Sequence, residues 1–232
     1  MKNRIITCLV CTFTIMIVFV FPLTKGVLGA SNSVIEAGEL LQKIIAGVEK
    51  RYNVSSFSAA FDQTSTIKVM AITDTGKGRI TVKRPWKMKW EYDSPEEQIY
   101  VTDGTDMWIY RPEDNQIQVG KASSFFTGVV RAVFLLDMDQ IKKYFSISLI
   151  IKDDPFLHLL RLVPKEKIAD VSEMYLSISK KTFDVVKIVK YNANGDEISY
   201  NLSNFKFNRS YPDSIFRLKI PKGADVQYFD EQ

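Results

Sequence analysis

The chain has 232 residues, 46% of them hydrophobic, with 31 Lys and Arg against 27 Asp and Glu and a formal charge of +4. Lys2, Arg4 and Lys25 sit in residues 1–30, which leaves 28 basic against 27 acidic side chains in the rest. So balanced a chain has little pull on nucleic acid or an anionic membrane, and no nucleic-acid partner is expected. Both cysteines, Cys8 and Cys11, also fall in residues 1–30, so residues 31–232 hold no disulfide framework, thiol nucleophile or thiolate metal site.

Residues 1–30 have a basic start (Lys2, Arg4), an apolar run from Ile5 to Phe21 ended by Pro22, and small residues at Gly29-Ala30. That order predicts a secretory signal peptide cleaved near Ala30. The competing reading is an uncleaved anchor, since the run approaches the length of a membrane span; Thr7, Thr12 and Thr14 dilute it. Cys8-Leu-Val-Cys11 lacks the small residues of a lipoprotein cleavage box and comes too early. Residues 31–232, with no low-complexity tract or linker, are expected to be one soluble, monomeric, exported domain without a lipid anchor.

From Val34 to Tyr52 the residues Leu41, Ile44, Ile45, Val48 and Tyr52 recur at helical spacing and predict an amphipathic helix with one buried stripe. After Asn53 the period becomes two. Strands are predicted from Phe57, with a turn at Thr73–Gly78, then at 98–101, 107–110, 116–119, 144–151, 156–163, 174–179, 185–191, 198–207 and 215–220, with hairpin signals at Asp103-Gly104 and Asn194-Gly195. About eleven short strands joined by tight turns predict a large antiparallel sheet that curls into a barrel or half-barrel. One segment, Ser123–Asp137, is apolar around most of a helix and needs cover on nearly every side; Asp139–Lys143 adds a further turn.

Residues 79–92 alternate: Ile80, Val82, Trp86, Met88, Trp90 and Tyr92 form one file, and Arg84 is the only charge in it. As a single strand this stretch would run about 46 Å at ~3.3 Å per residue, well beyond the usual length. Two strands are therefore expected, with the turn near Lys83–Trp86 because Pro85 cannot donate to a central ladder, and with Arg84 at the rim of the apolar face.

Catalytic signatures are missing. There is no Gly-x-Ser-x-Gly elbow, Ser-x-x-Lys, phosphate loop or dinucleotide fingerprint. The single histidine, His158, lies in an apolar strand with no partner at metal-ligand spacing, and neither a metal nor a cofactor is expected. The pairs Asp137/Asp139 and Asp153-Asp154 sit at predicted turns, where solvated punctuation outweighs two-carboxylate hydrolysis. What the chain has in excess is aromatic surface: Phe57, Phe61, Trp86, Trp90, Tyr92, Trp108, Phe125, Phe126 and Phe134. These either pack solid as a core or enclose a cavity suited to an apolar ligand.

The runs Val54–Gln63, Gly78–Pro85 followed by Trp90, Ile99–Tyr110, Leu162–Lys165 and Pro221–Val226 resemble, in order and spacing, the periplasmic outer-membrane lipoprotein carrier family, LolA. The resemblance implies an unclosed antiparallel β-barrel with helices over its open hydrophobic face, of α+β class and without enzymatic activity. It implies a periplasmic chaperone that holds lipoprotein acyl chains, receives them from an inner-membrane ABC exporter and passes them to an outer-membrane receptor. By the motif, Arg84 with Pro85 would latch a lid comprising Phe125, Phe126, Val130 and Phe134. The cavity would be lined by Phe61, Trp86, Met88, Trp90, Tyr92 and Trp108. The alternative kept open is a lipid- or glycolipid-binding or sensing protein of the same fold.

Overall fold

The computed structural model describes residues 26–125, 133–168 and 170–229. The chain divides into two compact units, 1–36 and 37–232, and the sheet with its packed core belongs to the second. Helix α1 spans Gly26–Tyr52 and so starts before the expected Val34. Its predicted stripe is buried: Ile44, Ile45, Val48 and Tyr52 are inaccessible or nearly so, and Leu41 packs on the same cluster. Among the described residues no helix is long and apolar enough to cross a membrane.

The C-terminal end of α1 is fastened by three contacts. Arg51 Nε donates to Asp184 Oδ1 at 2.6 Å, the Arg51 guanidinium lies 3.8 Å above the Phe207 ring, and the Tyr52 hydroxyl accepts the Val185 N–H at 3.0 Å. Basic residues in a last turn also answer the negative end of the helix dipole.

Twelve strands follow: β1 Ser56–Ile67, β2 Ile72–Lys83, β3 Lys87–Ser94, β4 Gln98–Thr102, β5 Asp106–Arg111, β6 Gln116–Lys121, β7 Phe145–Ile150, β8 Leu157–Pro164, β9 Glu173–Ser179, β10 Val185–Tyr191, β11 Glu197–Phe207 and β12 Asp225–Phe229. The order across the sheet is β12-β6-β5-β4-β3-β2-β1-β11-β10-β9-β8-β7, so β7 and β12 are edges and the sheet does not close. Every pairing is antiparallel except β12 on β6. Between β6 and β7 come α2 (Ala122–Phe125), a helical pair at Val133 and Phe134, and α3 (Met138–Tyr144). The fold is thus the unclosed antiparallel sheet with accompanying helices that the resemblance implied, with twelve strands where about eleven were expected from the alternation.

The boundary expected inside residues 79–92 is where Pro85 put it: β2 ends at Lys83 and β3 begins at Lys87. Register pairs Val82 with Met88 and Ile80 with Trp90 on the buried face. Two expectations fail. The turn assigned to Thr73–Gly78 falls instead at residues 68–71, closed by the Ala71 N–H to the Lys68 carbonyl with Ala71 at φ 52°. The Thr/Gly-rich stretch is strand because it meets polar partners on β1, Thr73 opposite Thr66 and Thr75 opposite Thr64, so no apolar face was needed to set its register. Residues 215–220, read as a strand, instead begin within a 3-10 turn at Asp213–Phe216 that plants Phe216 in the interior, and the last strand lies further on, as β12.

The buried side chains of α1, the β1–β3 face, the strands β7–β11 and Val133–Ile141 form a single apolar cluster. Val133, Leu135 and Leu136, which come directly after the part of the apolar segment that lies outside the described residues, are at most 2% exposed.

Candidate functional site

Arg84 stands in the β2–β3 turn, whose flanks are clamped. Lys83 and Lys87 each reach the Asp213 carboxylate at 2.6 Å, and Lys83 also donates to the Tyr211 carbonyl at 2.8 Å. These two ammonium partners hold the Asp213 carboxyl down to about 2. The Arg84–Pro85 peptide is cis, and the Arg84 N–H donates to the Ser55 carbonyl at 2.9 Å.

With the turn fixed, the guanidinium reaches two elements. Its Nη2 donates to the Tyr52 carbonyl at 3.0 Å, and its Nη1 lies 3.7 Å from Asp137 Oδ2. Tyr52 ends α1, where carbonyls lack intrahelical donors; its carbonyl accepts the Val54 N–H at 2.9 Å, and Arg84 adds a second, charged donor at the negative end of the dipole. Asp137 caps α3 by accepting the Gln140 N–H at 3.2 Å. Arg84 therefore ties the end of α1 to the point where Val133–Leu136 hands over to α3. The hydrogen bond to the carbonyl carries most of the interaction, about 1.5–3 kcal/mol, because a half-exposed pair at the longer distance adds little.

Further along the same face of β3 lies a cavity of ≈ 260 Å³ lined by Trp90, Tyr92, Tyr100, Met107, Ile109, Phe134 and Tyr200. Its walls are aromatic pairs: Phe134 meets Trp90 edge-on at 4.9 Å between centroids, Tyr200 meets Trp90 at 5.2 Å, and Phe61 backs Trp90 and Tyr92 at 5.0 and 4.9 Å. The phenols point their protons at the sheet's polar groups, Tyr92 to Gln63 Oε1 and Tyr100 to Gln98 Oε1. Burial raises the Tyr92 pKa, with the Tyr200 and Tyr100 phenols adding to it, and burial pushes Tyr200 up to about 12. The site resists negative charge, and none of the residues that line it is ionised at neutral pH.

The sequence-predicted residues do not all meet at one place. Trp90, Tyr92 and Phe134 face the cavity; Phe61 and Met88 lie beneath it in the packed core. Trp86 belongs to the turn beside Arg84 and Pro85 and packs on the core, with Gly104 pressed so close that a Cβ there would meet its side chain at 2.9 Å. Trp108 points away from Met107 and Ile109, its neighbours on β5, and those two supply the wall. Phe125 ends α2; Phe126 and Val130 lie outside the described residues. The acceptor that Arg84 reaches is the last carbonyl of α1, and toward Val133–Leu136 its partner is the Asp137 carboxylate. Sequence reasoning missed Tyr100, Met107, Ile109 and Tyr200, although the period-two pattern around Trp108 already placed Met107 and Ile109 together.

Asp154 accepts the Phe156 and Leu157 N–H groups, which lower its pKa, and so does a turn's work as expected. His158 lies in β8 with its pKa lowered, chiefly by burial. Among the described residues no three metal-type side chains cluster.

An unclosed, mostly antiparallel twelve-stranded sheet with helices in the connection between β6 and β7, and an aromatic cavity on its face, define the structural class of this protein. A crystal structure of an uncharacterized conserved protein from Thermus thermophilus has this fold, with a TM-score of 0.52 over 82% of this chain and 99% of that one at 15% identity. The family model for the outer membrane lipoprotein carrier protein LolA matches residues 52–219, and the chain belongs to that family. Relatives named outer-membrane lipoprotein carrier protein include one from Pseudomonas putida strain W619, 26% identical over 91% of this chain and 97% of its own length. Another, from Methylobacillus flagellatus, is 27% identical over 75% of this chain and 87% of its own length.

Proposed function

We propose that this protein is a periplasmic carrier that binds the acyl chains of lipoproteins, exported by a signal peptide within residues 1–30 and followed by a single carrier domain. It takes cargo from an inner-membrane ABC exporter and delivers it to the outer membrane, by way of a receptor where one is present. The observation that carries this reading is the pairing of an aromatic cavity with an apolar segment, Val133–Leu136, packed into the same cluster and tethered through Asp137 to Arg84.

The magnitudes support an exchange. A cavity of ≈ 260 Å³ is below the roughly 300–1,000 Å³ of ordinary ligand sites, so whole acyl chains need more room than it gives. An acyl chain of about fifteen methylenes carries roughly 12 kcal/mol of transfer free energy. Returning four side chains, Val133 to Leu136, to water costs roughly 6–12 kcal/mol. For one such chain the apolar surface entering nearly balances the apolar surface leaving, so even the weak Arg84–Asp137 pair, worth at most about 1 kcal/mol, biases which state is preferred.

The test is to isolate the protein from periplasm and identify its ligand by mass spectrometry. A triacylated peptide supports the carrier reading; free lipid or glycolipid with no peptide transfers the fold to the alternative role, and no ligand of either kind sinks both. Arg84→Leu should still take up cargo but release it poorly to acceptor membranes, by about two- to fivefold for the loss of a pair worth at most about 1 kcal/mol. Normal transfer by that variant would reduce Arg84 to an ordinary turn residue.

A further inference from the structure

Trp90 is 6% exposed, forms a wall of the aromatic cavity, and its indole Nε1 is sealed from solvent with no hydrogen-bond partner. It is the only buried side-chain nitrogen or oxygen left in that condition among the described residues. Buried polar groups are nearly always paired, and an orphan costs about as much as a hydrogen bond is worth. An all-carbon ring would have served packing equally well. The indole N–H is directed toward the Tyr92 phenol, which slightly offsets the rise in that phenol's pKa, but no acceptor meets the nitrogen at hydrogen-bond distance and angle. Tyr92 and Tyr100 have their own protons committed to glutamine oxygens outside the cavity. Phe134, from the segment that must leave to make room, packs edge-on to the same indole at 4.9 Å.

We propose that Trp90 Nε1 is a recognition point for the carbonyl at the head of an acyl chain, reached when Phe134 moves off the indole. This rests on the carrier reading and gives its site a chemical preference. The ligand class is a long alkyl chain joined to a neutral acceptor, an ester or an amide carbonyl. A plain hydrocarbon leaves the N–H orphaned. A free fatty-acid carboxylate brings charge into a pocket whose buried phenols already resist ionisation, and none of its described lining residues is a cation. The subsite therefore distinguishes acylated molecules from both hydrocarbons and soaps.

The experiment compares methyl laurate, N-methyllauramide, tridecane and laurate at pH 8, by competition against a bound fluorescent dye, on the intact protein and on Trp90→Phe. The readout is the ratio of ester or amide affinity to tridecane affinity, so any general loss of apolar contact in the variant cancels. That ratio should fall about two- to tenfold in Trp90→Phe, the worth of one neutral hydrogen bond. Should the variant not fold, the unaltered protein answers by nitrogen-15 NMR. The Trp90 indole proton should move downfield with ester and amide but not with tridecane. An unchanged ratio, or the same indole shift with all four probes, overturns the subsite while leaving the carrier reading intact. Failure of every probe to bind the unaltered protein overturns both. Ester and amide responding differently identifies which acyl linkage the site prefers and supports the proposal.

Discussion

Gly78 opens the Gly-Arg-Ile-Thr-Val-Lys-Arg-Pro motif, and the reason for a glycine there is steric. It lies on β2 at the register shift beside Lys77, and a Cβ built on it would sit 1.9 Å from the Glu91 carbonyl oxygen of β3. That atom is backbone and cannot swing aside. Gly78→Ala must therefore push the two strands apart at the point from which Ile80 and Trp90, then Val82 and Met88, pair down to the Arg84 turn. A loss of about 1–3 kcal/mol is expected, the range for forcing extra volume into a packed site, read as a lowered midpoint in urea. A midpoint equal to that of the unaltered protein would mean that the strands separate there without cost. The same residue scale accounts for the lysines around the motif: Lys83 and Lys87 neutralise Asp213, and Lys89 pairs with Glu91.

At the scale of elements, the β1–β2 hairpin shows what period and turn chemistry could and could not convey. Its buried half was legible, since Phe57, Ala59, Phe61, Ile80 and Val82 all fall on the covered face. Its tip was not, because Gly, Asp and Thr at 73–78 outweighed the apolar Val69 and Met70 as turn residues. The structure leaves Val69 85% and Met70 67% exposed, on a tip braced by the Lys68 N–H to Asp196 Oδ1 at 2.9 Å. Apolar side chains in water add nothing to the folded state, so Val69→Ser with Met70→Ser should leave the thermal midpoint where it is, within about 0.5 kcal/mol. A clear drop would show that these side chains pack on something. For the site, legibility had a different limit. Arg84 stood out as the one charge in an apolar file, and Pro85 located its turn, but its partners Tyr52 and Asp137 are assembled only by the fold. Tyr200 likewise enters the cavity because β11 pairs with β1, a contact between strands far apart in sequence that no local pattern announces.

Across the whole molecule, three phenols couple the helix end, the cavity and the sheet to one protonation event. Tyr52 closes α1 onto β10; Tyr92 and Tyr200 wall the cavity from β3 and β11. Burial is the largest cause of the raised pKa in each, and Tyr200 reaches about 12. The folded state thus holds protons that the unfolded chain releases near pH 10, so the stability linked to them is fully present below pH 10 and is lost as pH rises toward 12. Above pH 10 each such group removes about 1.4 kcal/mol per pH unit, so three remove roughly 4, which consumes the 5–15 kcal/mol of an ordinary domain within a few units and most of a modest one by pH 12. Alkaline unfolding is expected as one sharp transition in which these three of the ten tyrosines, joined by Tyr100 and Tyr191, whose pKa values are also raised, ionise together with the loss of far-ultraviolet circular dichroism. Absorbance at 295 nm recorded alongside the dichroism measures both. Tyr200→Phe should broaden the transition and move it to higher pH, because one proton fewer is released on unfolding. If all ten tyrosinates form while the dichroism is still native, the three phenols are open to solvent in the resting protein, and the packing seen around them is not its resting state.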